Sequence, residues 1–221
     1  MFRTLITVVV AATAVVGGPW VYAQYFAPDP VEPVTLSDQE TAGVLVEQFE
    51  GVEGIWPVLE GSEAGYRVEE VLSGQDVTVV GRTEEVSGEL EVVDGELVDA
   101  QVVVATASIT TDESARDAYF RRALDTSTYP QATFVLAEPV PVGDLDQDSG
   151  PVEVEAVGTL TLRDVSRPVT AVLEAQVVGT GVEVVGRVPV VLEQYDLAVP
   201  DLGFVTVEPE GTVEFRLVLG R

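Results

Sequence analysis

The chain has 221 residues and a formal charge of −27, from 38 Asp and Glu against 11 basic residues. Every basic residue is Arg, and Cys, His and Lys are absent. These absences remove disulfides, Cys/His zinc sites, haem held by His or Cys, Ser-His-Asp and Cys-His triads, Schiff bases and P-loop phosphate binding. The charge repels nucleic acid and anionic lipid headgroups, so no nucleic-acid partner is expected, and cations or basic partners are favoured. Carboxylates, Tyr, Ser/Thr and Arg remain for chemistry, which leaves carboxylate-pair glycosidases and Mg- or Ca-dependent sites as the enzymes to weigh.

At the N-terminus Arg3 is followed by the uncharged stretch Leu5–Ala27. At ~1.5 Å per residue this stretch is long enough to span a hydrocarbon core of ~30 Å. Trp20, Tyr22, Tyr25 and Phe26 at its far end are the rings expected at a membrane interface. Positive charge lies only on the near side, which predicts export of the C-terminal remainder of the chain. Two readings stand. One is an uncleaved transmembrane anchor, leaving a single-pass protein in the cell membrane with its domain outside the cytoplasm. The other is a signal peptide with h-region Leu5–Val16, cut after Val21-Tyr22-Ala23, giving a secreted protein. The apolar stretch continues past the cut, which favours the anchor. Residues 1–27 are therefore assigned to anchor or signal peptide, 28–53 to a Pro-containing linker and leader, and 54–221 to the exported domain.

Within that domain, short β-like runs recur between Gly, Asp and Pro. In chain order they are Gly54–Leu59, Tyr66–Leu72, Asp76–Arg82, Val86–Val93, Leu97–Ile109, Thr133–Leu136, Glu153–Leu162, Val169–Val178, Val182–Leu192 and Thr212–Leu219. Asp94-Gly95 is a strong hairpin signal, Gly179-Thr180-Gly181 marks another turn, and residues 163–168 read as a connection. From Val152 to Leu162 the even positions are apolar or Gly and nearly all odd ones polar; from Val213 to Leu217 the odd positions are apolar. This is the period of half-buried antiparallel strands. The fold class expected is all-β, an antiparallel sandwich or up-and-down barrel.

Thr111–Leu124 breaks the pattern and reads as a short helix, with Thr111 or Asp112 as its cap and Arg121 and Arg122 in its last turn. Ala115, Ala118, Tyr119 and Leu124 are placed toward the barrel.

The order of several motifs resembles the YceI-like family of exported lipid- or polyisoprenoid-binding proteins. The blocks are Gly65-Tyr66-Arg67-Val68, Val80-Gly81-Arg82-Thr83, Val86-Ser87-Gly88 and Ala107-Ser108-Ile109. They continue with Ser114–Phe120, Leu124-Asp125, Tyr129–Phe134, Gly158–Leu162 and Val165–Val169. The resemblance covers roughly Gly54 to Gly220. It implies a lipocalin-like antiparallel barrel around a long apolar pocket for a prenyl-type chain, with no catalytic activity. Two departures stand out: Arg163 occupies a position where members often have His, and the Arg167-Pro168 block lacks the Lys that many carry.

Alternation nominates Phe134, Leu136, Leu160, Leu162, Leu173, Phe215 and Leu217 for the pocket, with Phe120 from the helix. Equally, they are candidates for a dry, side-chain-filled core. Arg116, Arg121, Arg122 and Arg163 are scarce cations, fit either to hold an anionic head such as pyrophosphate or to pair with the abundant acids. Asp144, Asp146, Asp148 and Glu155 match EF-hand offsets. However, Ser149 replaces the required Gly and the flanks are strands, so a solvated hairpin loop is expected and no metal. Gly81-Arg82-Thr83-Glu84 is too short for a phosphate loop.

The expected function is an extracytoplasmic carrier for an isoprenoid or other long-chain lipid, without cofactor or catalytic residues, membrane-held through its N-terminal helix. A homodimer is left open. A structural or adhesion module with a packed core is the alternative, followed by a carboxylate-dependent hydrolase.

Overall fold

A computed structural model describes residues 31–37, 49–72, 74–148, 150–198 and 205–221. The expected anchor or signal segment lies outside the described residues, as does much of the leader. Among the described residues no helix is long and apolar enough to cross a membrane.

The strands are β1 (Gly54–Pro57), β2 (Glu63–Leu72), β3 (Gln75–Thr83), β4 (Val86–Val93), β5 (Glu96–Ala105), β6 (Gln131–Leu136), β7 (Val140–Pro141), β8 (Val152–Leu162), β9 (Val165–Val178), β10 (Gly181–Val191) and β11 (Val205–Leu219). Helix α1 (Ser114–Ala123) lies between β5 and β6. All the strands join one antiparallel sheet in the order β1-β4-β5-β6-β8-β9-β10-β11-β2-β3, with β7 added to β5. The sheet curls until its edges meet other strands. Val58, just past β1, bridges to Leu219 of β11, and Arg82 of β3 bridges to Thr110, beyond β5. The described residues thus form an all-β, partly closed antiparallel barrel with one α-helix, which fits the lipocalin-like expectation.

Turn chemistry explains the hairpins. Asp94 and Gly95 both adopt positive φ (54° and 77°), the geometry of a two-residue turn that follows the strand twist. The β8–β9 connection is equally tight: Leu162 pairs with Val165, so only Arg163 and Asp164 turn the chain. The sequence reading of residues 163–168 as a connection is corrected here. Pro168 is tolerated in β9 because that strand pairs with β10 only from Val172 onward, so the missing N–H has no partner to lose.

Three other boundaries differ. β11 begins at Val205 rather than Thr212, because an irregularity between Val207 and Gly211 absorbs Glu208-Pro209-Glu210 without ending the strand. β5 stops at Ala105, and Thr106–Ser108 form a 3₁₀ turn where the sequence pattern extended the strand to Ile109. At α1, no side chain caps the first turn in the usual way; instead Asp117 reaches back and accepts hydrogen bonds from the Thr111 N–H and hydroxyl, both 2.8 Å.

Inward positions divide the interior into two halves. At the β1 end, Trp56, Val92, Leu97, Ala100, Val182, Val184, Leu217 and Leu219 form a filled core. Trp56 donates its indole N–H to the Val52 carbonyl (2.7 Å) and carries the Arg221 guanidinium over its ring at 4.2 Å. Toward the α1 end the same strands line empty space.

Outside the sheet, residues 31–37 lie as a strap across β3, β2, β11, β10 and β9. Arg67 and Arg82 donate to the carbonyls of Val31 and Glu32, at 2.9 and 2.7 Å. The Ser37 N–H and hydroxyl donate to Glu183, and Gln176 donates to both Glu183 and the Ser37 carbonyl. Glu214, only 3% exposed, is bonded by Arg67 at 2.6 Å. Outward-pointing charges are buried here because the strap covers them.

Candidate functional site: an apolar cavity under the helix

The cavity of about 500 Å³ is walled by inward residues of β2, β3, β5, β6, β8, β10 and β11 and roofed by α1. That volume lies within the ~300–1,000 Å³ usual for small-molecule sites. β2 contributes Tyr66, Val68 and Leu72; β5, Val102 and Val104; β8, Leu160 and Leu162; β10, Val188 and Val190; β11, Val213 and Phe215. The β-branched Val that makes these strands pair also makes the wall hydrocarbon.

Aromatic rings reach into this space because glycines on adjacent strands leave room for them. A Cβ on Gly81 would fall 2.6 Å from the Tyr66 ring, one on Gly158 2.2 Å from the Phe134 ring, and one on Gly186 2.0 Å from the Phe215 ring. Gly81 is the direct cross-strand partner of Tyr66, and Gly186 that of Phe215. Tyr66 also stacks under Phe120 of α1, with centroids 4.6 Å apart and planes 11° from parallel.

Of the residues the sequence nominated, Phe120, Phe134, Leu160, Leu162, Phe215 and Arg116 line the cavity. Leu217 lies in the filled end, and Leu136 and Leu173 pack against the core without lining the cavity. Arg121 is half-buried and Arg122 exposed at the end of α1. Arg163 sits on the β8–β9 turn at positive φ, over the Tyr129 ring (5.9 Å), with Nη1 donating to the Asp196 carbonyl (3.3 Å). None of these three Arg side chains is part of the cavity wall. Ala115 and Tyr119 reach the wall from the helix, as does Leu124 just beyond it, whereas Ala118 faces solvent. Tyr119 donates to the Ala198 carbonyl at 3.1 Å.

Arg116 does not reach into the cavity as a free cation. Its Nη2 donates to Glu70 at 2.7 Å and its Nη1 to Asp112 at 2.9 Å. Burial works against its charge, but the hydrogen bond and attraction to Glu70, then Asp112, hold its pKa above the ordinary Arg value. The Tyr66 hydroxyl is pushed up to about 12, first by burial and then by the Asp117 charge, with Arg116 opposing. Among the described residues this hydroxyl has no hydrogen-bond partner.

Pattern reading passed over Tyr66, Glu70 and the Val pairs of β5 and β10. Val182, Val184, Gly186, Val188 and Val190 alternate as cleanly as β8, so their signal was present. Glu70 had none, since a carboxylate at an inward position reads as a break in the pattern.

No curated protein matches the sequence. Solved structures share the fold at low identity. A polyisoprenoid binding domain from Saccharophagus degradans, implicated in plant cell wall breakdown, is 20% identical, with a TM-score of 0.59 over 76% of this chain and 99% of its own. BcnA of Burkholderia cenocepacia is also 20% identical, with a TM-score of 0.53 over 69% of this chain and 95% of its own. The sequence matches the YceI-like domain over residues 59–219, from the turn after β1 to the last residue of β11. The chain belongs to the YceI-like domain family.

Proposed function

We propose that this protein is a non-catalytic binding or carrier protein. It holds a long-chain lipid of isoprenoid type in the cavity under α1, and works outside the cytoplasm, attached to the membrane by its N-terminal segment. The observation that carries the reading is the cavity itself: about 500 Å³ walled by Val, Leu, Ile and Phe, in a barrel whose other end is filled. A packed structural module would have no use for this space. Transfer of an alkyl chain into it contributes about 0.8 kcal/mol per CH₂, so a long tail accounts for tight binding with few polar contacts. The name of the Saccharophagus degradans domain supports an isoprenoid as the class of chain. The uncharged stretch Leu5–Ala27 behind a single Arg supports export and attachment.

The test is lipid extraction and native mass spectrometry of the full chain purified from its own host. A bound long-chain lipid at near-stoichiometric occupancy is expected, and protein that is empty in every preparation overturns the reading. Fractionation of the same cells should place the chain in the membrane pellet, released by detergent and not by salt. Recovery in the soluble cytoplasm refutes the attachment.

A further inference from the structure

Glu70 is 7% exposed and is a carboxylate in the wall of a hydrocarbon cavity. Such a group costs more to bury than any residue around it unless it is paired. Its partner is Arg116, whose other nitrogen is held by Asp112. Among the described lining residues Arg116 is the sole cation, and Glu70 and Glu113 are the two acids. We propose that Glu70, by neutralising Arg116, makes this cavity select lipids with an uncharged, hydrogen-bond-accepting head over lipids with a phosphate head. This rests on the lipid-binding function proposed above and concerns the chemistry of the ligand's polar end.

Three observations carry it. A phosphate seeks guanidinium nitrogens in bidentate geometry. Here both terminal nitrogens are already spent on carboxylates, and turning Arg116 toward a phosphate strands the buried Glu70 charge. The surrounding field is also negative, because Asp117 is buried at the base of the helix and joins Glu70 and Asp112 near one Arg. The upward shift of Tyr66 comes first from burial and then from Asp117, which outweighs Arg116, and both burial and that charge disfavour any other anion at this wall. Finally, the Tyr66 hydroxyl is an uncommitted donor on the wall, suited to a carbonyl, ether or hydroxyl oxygen. Glu70 thus acts as the repulsive element that specificity needs, while Tyr66 supplies the attractive one.

Native mass spectrometry of the full chain with an equimolar mixture of geranylgeraniol and geranylgeranyl phosphate tests this. The two probes share a chain and differ in head charge. Wild-type protein should carry the alcohol over the phosphate by at least about tenfold, and Glu70→Gln should cut that ratio by about tenfold or more. Equal occupancy, or a preference for the phosphate, overturns the charge selection and leaves the lipid-binding function standing. If neither probe binds, the lipid-binding function falls and the selection with it. Tyr66→Phe gives a second readout that does not depend on Glu70→Gln folding. It should lower geranylgeraniol occupancy several-fold and leave the saturated hydrocarbon phytane unaffected; equal loss of both overturns the donor role.

Discussion

Tyr66 of β2 and Phe120 of α1 stack at 4.6 Å, and this contact is where the helix meets the sheet. Beyond it, α1 is held to its neighbours by the Arg116–Glu70 pair and the hydrogen bond from Tyr119 to Ala198. A roof with so few attachments opens at lower free energy than the strands beneath it. Phe120→Ala should therefore raise hydrogen exchange of the amides from Arg116 to Ala123 by about tenfold or more, with β8 and β10 unchanged. Because Phe120 is only half-buried, the loss of global stability should fall below the ~3–5 kcal/mol usual for a core Phe. Uniform acceleration across all strands would refute the local attachment.

The ring of Phe215 occupies the space over Gly186, so an added methyl there forces a ring out of its place. Gly186→Ala should lower stability by about 1–3 kcal/mol, read from the midpoint of urea unfolding. Gly150 has nothing within 4 Å of a built Cβ, and its φ is not in the left-handed region. Gly150→Ala should therefore stay within about ±0.5 kcal/mol or gain slightly. Equal effects at the two sites would mean that the ring moves freely.

Glu183 anchors the strap. Burial alone would raise its pKa, but hydrogen bonds from the Ser37 N–H and hydroxyl and from Gln176, with the Arg216 charge, bring it below the ordinary 4.5. A depressed folded value means its stabilisation is complete above the ordinary carboxylate range and is lost as pH falls through the folded value. Wild-type stability should drop on acidification below about pH 4.5, and Glu183→Gln should flatten that part of the profile. An unchanged slope in the variant would exclude Glu183 as a source of it.

Tyr66 gives the opposite window. Its folded pKa of about 12 lies above the ordinary 10, so its neutral form stabilises the fold below pH 10, and that contribution is lost as pH rises toward 12. An ultraviolet difference titration of wild type against Tyr66→Phe should show one phenol ionising near pH 12. A difference centred at pH 10 would contradict the buried, negatively surrounded site.

On the outer face Glu153 lies directly opposite Glu174, and Glu91 opposite Asp99. All four are exposed. Like charges at facing positions weaken a sheet by about 0.2–1 kcal/mol, and added salt screens them over a Debye length of ~10 Å at ~0.1 M. Glu174→Gln should raise the thermal midpoint at low salt, with the gain shrinking as sodium chloride is added. A salt-independent gain would point to packing rather than charge.

Local pattern made several elements legible: the alternating strand Val152–Leu162, the Asp94-Gly95 hairpin and the helix, expected over Thr111–Leu124 and found at Ser114–Ala123. What escaped was set by partners far along the chain. The first half of β11 was hidden by Glu208-Pro209-Glu210, whose irregularity makes sense only against β2. Leu217 and Leu160 share an inward alternation, yet one fills the core and the other lines the cavity. That division depends on depth along the barrel, which periodicity does not encode. Nothing local marks Glu70 and Glu183 as paired, because their Arg and Ser partners are 46 and 146 residues away.

The strap also fixes an order of assembly. Ser37 finds its place only on Glu183 of β10 and Gln176 of β9, and Val31 and Glu32 only on Arg67 and Arg82. Synthesis proceeds from the N-terminus, so residues 31–37 leave the ribosome before the strands that receive them. The Ser37 end of the strap is thus made early and seated only once β9 and β10 have been laid down.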